Sequence, residues 1–163
     1  MVSDSTMSDV KSDTTDCTDG RSCLLEAVAG LTAAEFEIPN VIGNWSVRDC
    51  LAHLVGWDAW MLNAFDRCRV GMPLGPLPTE REINEAAPRD WVNRPVEKLL
   101  RRLQETRAEL AARAGSLTDE ERQAPTIRMG EHELSVNDLI DALVDHDLEH
   151  AAQIRTWRKT RLA

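Results

Sequence analysis

Two histidines, His146 and His150, stand four residues apart in a stretch that otherwise has the periodicity of a helix. On a helix that spacing stacks both side chains on one face, roughly 6 Å apart at Cβ. The stripe they share is apolar: Leu139, Leu143, His146, His150, Ile154 and Trp157. Both imidazoles are therefore expected to point into the protein. A buried imidazole needs a partner for each ring nitrogen. Two side by side, joined by a third from another helix, most readily share a metal ion. A bare pair at this spacing reads more often as two histidines bonded to neighbours. His53 shifts that balance, because it supplies a third imidazole from the helix that is the internal counterpart of the last one. Three protein ligands and one open position are what a catalytic zinc-type site uses. Imidazoles suit zinc, nickel, iron and copper alike, so the ligands alone do not select the metal.

The neighbours of these histidines offer less. Cys50 is three residues before His53 and on the same face; it reads as a small core residue first and as a soft fourth ligand second. Trp57 and Trp60 read as core, with a role in lining a substrate pocket beside the metal as the functional alternative. Asp58, Asp141, Asp145 and Glu149 fall on solvated faces, where one of them could orient a ligand histidine. No side chain is an evident general base; Glu149 and Asp58 come nearest. His132, between charges in a turn, is expected to be exposed.

Four helices must position these groups. The first is expected from about residue 21 to Gly30, with a weaker continuation back to about residue 10. Ser46 and Asp49 form the start signal of the second, which runs to about Cys68 with Val47, Cys50, Leu51, Leu54, Trp57 or Asp58, Met61, Leu62 and Phe65 on its buried stripe. The stretch from Gly71 to Pro78 is too rich in Gly and Pro for a helix and opens a long crossover reaching to Trp91, with a short helix over 79–87 inside it. The third helix begins at Pro95 and ends near Gly115. It buries Val96, Leu99, Leu100, Leu103, Thr106 and Leu110, with Arg101, Arg102, Glu105 and Arg107 outward. The fourth begins at Ser135 and closes on Arg155, Arg158, Lys159 and Arg161, favourable at its negative end.

The chain repeats itself. Leu117-Thr118-Asp119-Glu120-Glu121 echoes Leu31-Thr32-Ala33-Ala34-Glu35, and Leu134-Ser135-Val136-Asn137-Asp138 echoes Trp45-Ser46-Val47-Arg48-Asp49. Two helix–loop–helix halves joined by one long connection predict an all-α, pseudo-symmetric four-helix bundle. Aligned at the capping serines, His146 falls opposite Trp57 and His150 opposite Met61, so the histidines are not a by-product of the repeat.

Composition bounds the rest. The 163 residues suit one domain, with 42% hydrophobic and 29% charged residues. Residues 1–9 read as a flexible tail and 10–163 as the domain. The net charge of −9 argues against a nucleic-acid binder. No apolar run approaches the ~20 residues of a membrane span, and no signal peptide is visible, so a cytoplasmic protein is expected. Cys17, Cys23, Cys50 and Cys68 lack C-x-x-C spacing and are expected as free thiols.

The stretch from Asn44 through Trp45-Ser46-Val47-Arg48-Asp49-Cys50-Leu51-Ala52-His53-Leu54-Val55-Gly56-Trp57 to Asp58 resembles the second-helix signature of the DinB-like superfamily. His146-Asp147-Leu148-Glu149-His150-Ala151-Ala152-Gln153-Ile154-Arg155-Thr156-Trp157-Arg158 resembles its last helix. The resemblance covers the second helix to the C-terminus. It implies a four-helix bundle and a divalent metal on His53, His146 and His150. It also implies a homodimer as one assembly, and a small-molecule substrate. Its members include thiol-dependent transferases and isomerases that use mycothiol or bacillithiol, and a self-resistance branch that hydrolyses a reactive natural product. The chain departs from the family in its polar first helix, and the extra C-terminal domain of the mycothiol-dependent maleylpyruvate isomerases is not expected within these residues. The expected function is metal-dependent activation of a low-molecular-weight thiol or water against an electrophile. A sequestering protein for a metabolite and a plain helical interaction domain are the alternatives.

Overall fold

The structure, a computed structural model, describes residues 19–70, 79–125, 127–129 and 131–162. The expected tail over 1–9, the continuation of the first helix toward residue 10 and the Gly/Pro stretch of 71–78 lie outside them. Within them the chain forms α1 (Gly20–Val28), α2 (Ala33–Phe36), α3 (Val47–Arg69), α4 (Glu80–Trp91), α5 (Val96–Gly115) and α6 (Asp119–Gln123). A short hairpin, β1 (Ile127–Met129) with β2 (His132–Leu134), precedes α7 (Val136–Leu162). The protein is predominantly helical, as the apolar periodicity predicts.

Helix starts are set by side chains that satisfy the first free N–H groups. Ser46 and Ser135 do this in the same way. The hydroxyl of each accepts from the backbone N–H three residues on, at 3.1 Å, and Asp49 or Asp138 reaches back to the serine N–H at 3.0 and 2.8 Å. Capping boxes also open α2 at Thr32, α4 at Thr79 and α6 at Thr118. The two halves of the chain thus repeat their punctuation in space as well as in sequence.

Two segments differ from expectation. The helix in the crossover does not stop at Ala87. It carries Pro88 inside it and ends at Trp91. A proline costs one N–H and disturbs the carbonyl four residues back, but Thr79 and Glu82 cap the start, and Ile83 and Ala87 are buried. The turn before α7 is pinned by a hairpin, with Ile127 opposite Leu134 and Met129 opposite His132; strands of three residues are too short to announce themselves by alternation. His132 is exposed, as expected.

Helix α1 packs on α7, and α3 packs on both α4 and α5. Gly20 allows the first of these contacts: a Cβ there would lie 2.5 Å from the Val144 carbonyl oxygen and 3.1 Å from the Asp147 Cβ. A residue that weakens a helix on propensity is thus the one the close packing needs. The buried apolar side chains form two clusters. One gathers Leu24, Leu51, Leu54, Leu99, Leu103 and Ile154; the other gathers Leu62, Phe65, Leu110, Ile127, Leu139 and Leu143.

On α3, α5 and α7, polar buried residues lie in register between these clusters. Arg21 of α1 donates to Asp147 of α7 at 2.9 and 3.1 Å, to Asp58 of α3 at 3.0 Å and to the Leu103 carbonyl of α5 at 2.6 Å. Arg107 pairs with the same two carboxylates at 3.1 and 3.0 Å, and the Thr106 hydroxyl donates to Asp58 at 2.9 Å. This decides one expectation and corrects another. Of its two expected places, the stripe and a solvated face, Asp58 takes the buried one, and Arg107 turns inward rather than outward. Each carries a charge whose partners lie on other helices, which one helix's periodicity does not reveal. The expectation of free thiols holds for Cys50 and not for Cys23, which is disulfide-bonded; motif spacing does not constrain which cysteines meet in a fold.

Candidate metal centre

His53 comes from the second turn of α3, and His146 and His150 come from consecutive turns of α7. Nε2 of His146 lies 3.0 Å from Nε2 of His53 and 2.9 Å from Nε2 of His150. The three ligand-capable atoms all lie within 4.8 Å of one another. His53 and His150 are buried and His146 is half-buried. Among the described residues these three form a group able to hold a metal ion. Three nitrogens on a tetrahedral ion with bonds of about 2.0–2.1 Å would sit about 3.3 Å apart, so small ring movements suffice.

Proton bookkeeping tests the fit. An imidazole nitrogen has one in-plane site, holding either a proton or a lone pair. His146 Nε2 can therefore complete a normal hydrogen bond with one of its two neighbours and not with both. His150 Nδ1 lies 2.7 Å from the Gln153 Oε1 acceptor, which places the proton on Nδ1 and the lone pair on Nε2. A lone pair aimed at a shared point, with too few protons to go round, is a donor set suited to a cation.

His53 and His146 are also kept neutral. Burial pushes the pKa of His53 down to about 3, with His146 and His150 adding to the fall and Asn84 opposing it. Burial likewise lowers His146 to about 4, with His150 adding to it and Asp58 opposing. At neutral pH a metal would not have to displace protons from ordinary imidazolium groups.

Outside the rings, Trp45 packs against His53 with its plane tilted by 44° and centroids 4.8 Å apart, and Trp57 meets His53 and His146 edge-on at 6.3 and 6.5 Å. Trp60 stands edge-on to Trp57 at 6.0 Å and packs on the second apolar cluster. Gln153 donates from its amide to Glu149 at 3.3 Å, so an exposed carboxylate steadies the residue that orients His150.

Of the residues singled out in the sequence, the fold brings His53, His146, His150 and Trp57 together, with Trp60 one ring further out. Cys50 lies in the closed core, fully buried. Burial pushes its thiol well up, with Asp147 and Asp49 adding, so it holds its proton at neutral pH and does not suit ligation. Trp45 and Gln153 were not anticipated at the centre. Gln153 had a readable signal, since it lies three residues after His150 on the same helix. Trp45 lies before the helix start, where no periodicity places a side chain.

The family model described as the DinB superfamily matches residues 18–154 of the chain. No curated protein matches it. Among solved structures, an uncharacterised protein from Escherichia coli UTI89 is similar, with a TM-score of 0.69 and 17% sequence identity, over 87% of this chain and 88% of that one. At that identity the likeness speaks for the fold alone.

Proposed function

The chain belongs to the DinB superfamily, and on that premise we propose that it is a metal-dependent enzyme acting on an electrophilic small molecule. His53, His146 and His150 would hold one divalent ion, zinc, nickel or iron. The observation that carries this reading is the convergence of the three Nε2 atoms, with separations of 3.0 and 2.9 Å from His146. A cation held there supplies Lewis acidity, lowering the pKa of a low-molecular-weight thiol or a water so that it serves as the nucleophile. The chain's own residues do the rest. Neutral imidazoles leave a bound cation's charge uncompensated; Trp57 and Trp60 offer an apolar wall for the substrate; Trp45 covers one face of His53 against water. The reading takes α1, α3, α5 and α7 as the four helices of a bundle with α4 inside the long crossover. Arg21 supports it, since its side chain on α1 contacts α3, α5 and α7.

The second reading is a sequestering protein that binds metal or metabolite without turnover. One observation favours it. Among the described residues no hydrogen bond joins a carboxylate to the three rings, and Asp58, a candidate base, is closed into its ion pairs.

Elemental analysis of purified, untagged protein tests the centre: about one divalent ion per chain is expected, and metal-free protein after purification without chelators would reject it. A conjugation screen of electrophiles, with and without added thiol, then separates enzyme from binder. Thiol-dependent turnover supports transfer, thiol-independent loss of substrate supports hydrolysis, and stoichiometric capture without turnover supports sequestration.

A further inference from the structure

Buried polar atoms without partners are rare, and each asks for an explanation. Among the described residues three side-chain atoms are in this position: His53 Nδ1, Asn84 Oδ1 and Arg107 Nε. Arg107 belongs to the ion cluster already described. The other two are complementary, one a ring nitrogen able to carry a proton and the other a carbonyl oxygen able to accept it.

The packing brings them to the same place. Gly56 follows His53 by one helical turn on α3. A Cβ at Gly56 would lie 2.7 Å from the Ala87 Cβ and 3.3 Å from Ile83 Cγ2 of α4. Ile83 and Ala87, four apart, are the buried face of α4, and Asn84 is the next residue along. The bare backbone at Gly56 therefore lets α4 sit against the His53 end of α3. The Asn84 amide acts on the His53 ring, favouring its protonated form, although the pair falls short of full hydrogen-bond geometry.

We propose that Asn84 is a positioning residue for the metal centre: its Oδ1 accepts a hydrogen bond from Nδ1–H of His53, leaving His53 Nε2 as the lone pair that faces His146 and His150. The purpose of this arrangement rests on the metal reading above; the tautomer it demands does not. His150 already shows the same device, with Gln153 Oε1 at 2.7 Å from its Nδ1. Two of the three rings are then held from outside by side-chain amides, one from α7 itself and one from the helix in the crossover. Such outer partners fix ring tautomer and orientation. A neutral amide does so without adding a negative charge beside a cation.

The test uses the full-length chain with Asn84→Leu, which removes the acceptor at similar volume, and Asn84→Asp, which keeps one. Two quantities are read: the His53 tautomer by 15N NMR in metal-free protein, and zinc affinity by competition with a chromophoric chelator. The wild type is expected to carry the His53 proton on Nδ1. N84L should redistribute it toward Nε2 and weaken zinc binding about 10- to 100-fold, while N84D retains the wild-type tautomer and affinity. A wild-type proton on His53 Nε2 overturns the proposal. So does N84L with unchanged tautomer and affinity, or an equal loss in N84L and N84D, which would mean a packing role only. If the wild type binds no zinc, the metal reading fails, and the tautomer measurement still decides the role of Asn84.

Discussion

Two buried polar clusters lie side by side in this protein, and they are built on opposite principles. Asp147 directly follows His146 on α7, and Asp58 directly follows Trp57 on α3. The Arg21–Asp58–Asp147–Arg107 cluster is closed: two cations face two carboxylates, and nearly every donor has an acceptor, Arg107 Nε excepted. The histidine cluster is open: three rings aim nitrogens at one point with too few protons to satisfy them. Neighbouring stretches of the same two helices thus separate two tasks. The closed cluster holds helices together with its charges matched and leaves only the Arg107 Nε donor without an acceptor. The open one is left with coordination to offer.

The largest expected effect breaks the closed cluster. Asp58→Ala leaves Arg21 and Arg107 buried with one carboxylate between them and should cost about 3–5 kcal/mol in denaturant unfolding. A loss like that of an exposed pair, under about 1 kcal/mol, would erase the contrast. Next comes the metal. A chelator should lower the melting temperature of metal-loaded protein, since an ion present at a hundredfold its Kd stabilises by about 2.7 kcal/mol. His146→Ala should abolish metal retention and remove the chelator effect; an H146A protein that still holds a stoichiometric ion removes His146 from the ligand set.

Acid sharpens the comparison in a third way. His53 and His146 have folded pKa values of about 3 and about 4 against 6.5 for an ordinary histidine. Between those values the unfolded chain takes up protons that the folded rings refuse, so stability is full above pH 6.5 and is lost as pH falls toward 4. The slope for metal-free protein should be about 1.4 kcal/mol per pH unit for each ring. Replacing both rings by Gln should flatten it, and an unchanged slope would assign acid sensitivity to other groups. The smallest effect concerns the repeat. Ser46→Ala and Ser135→Ala should each cost about 1 kcal/mol; clearly unequal losses would show that the two halves are alike in geometry and not in energy.

The open cluster was legible in the sequence and the closed one was not. His146 and His150 share a helical stripe, and helical spacing is a property that a single segment displays. The starts of α3 and α7 were legible for the same reason, since Ser46 with Asp49 and Ser135 with Asp138 act within one turn. Asp58 looks like a surface carboxylate until Arg21 and Arg107 arrive from α1 and α5. The hairpin formed by β1 and β2 and the continuation of α4 past Pro88 have no local sequence signal because both depend on what packs behind them. Asn84 stood in a stretch whose helix was expected, but nothing local points it at His53.

The missing methyl at Gly56 makes helix-to-helix distance an adjustable quantity. An alanine at that one position would lever α4 outward while leaving every polar atom of the protein chemically intact. The approach of Asn84 to His53 is in this sense tuned by a residue that has no side chain to offer it.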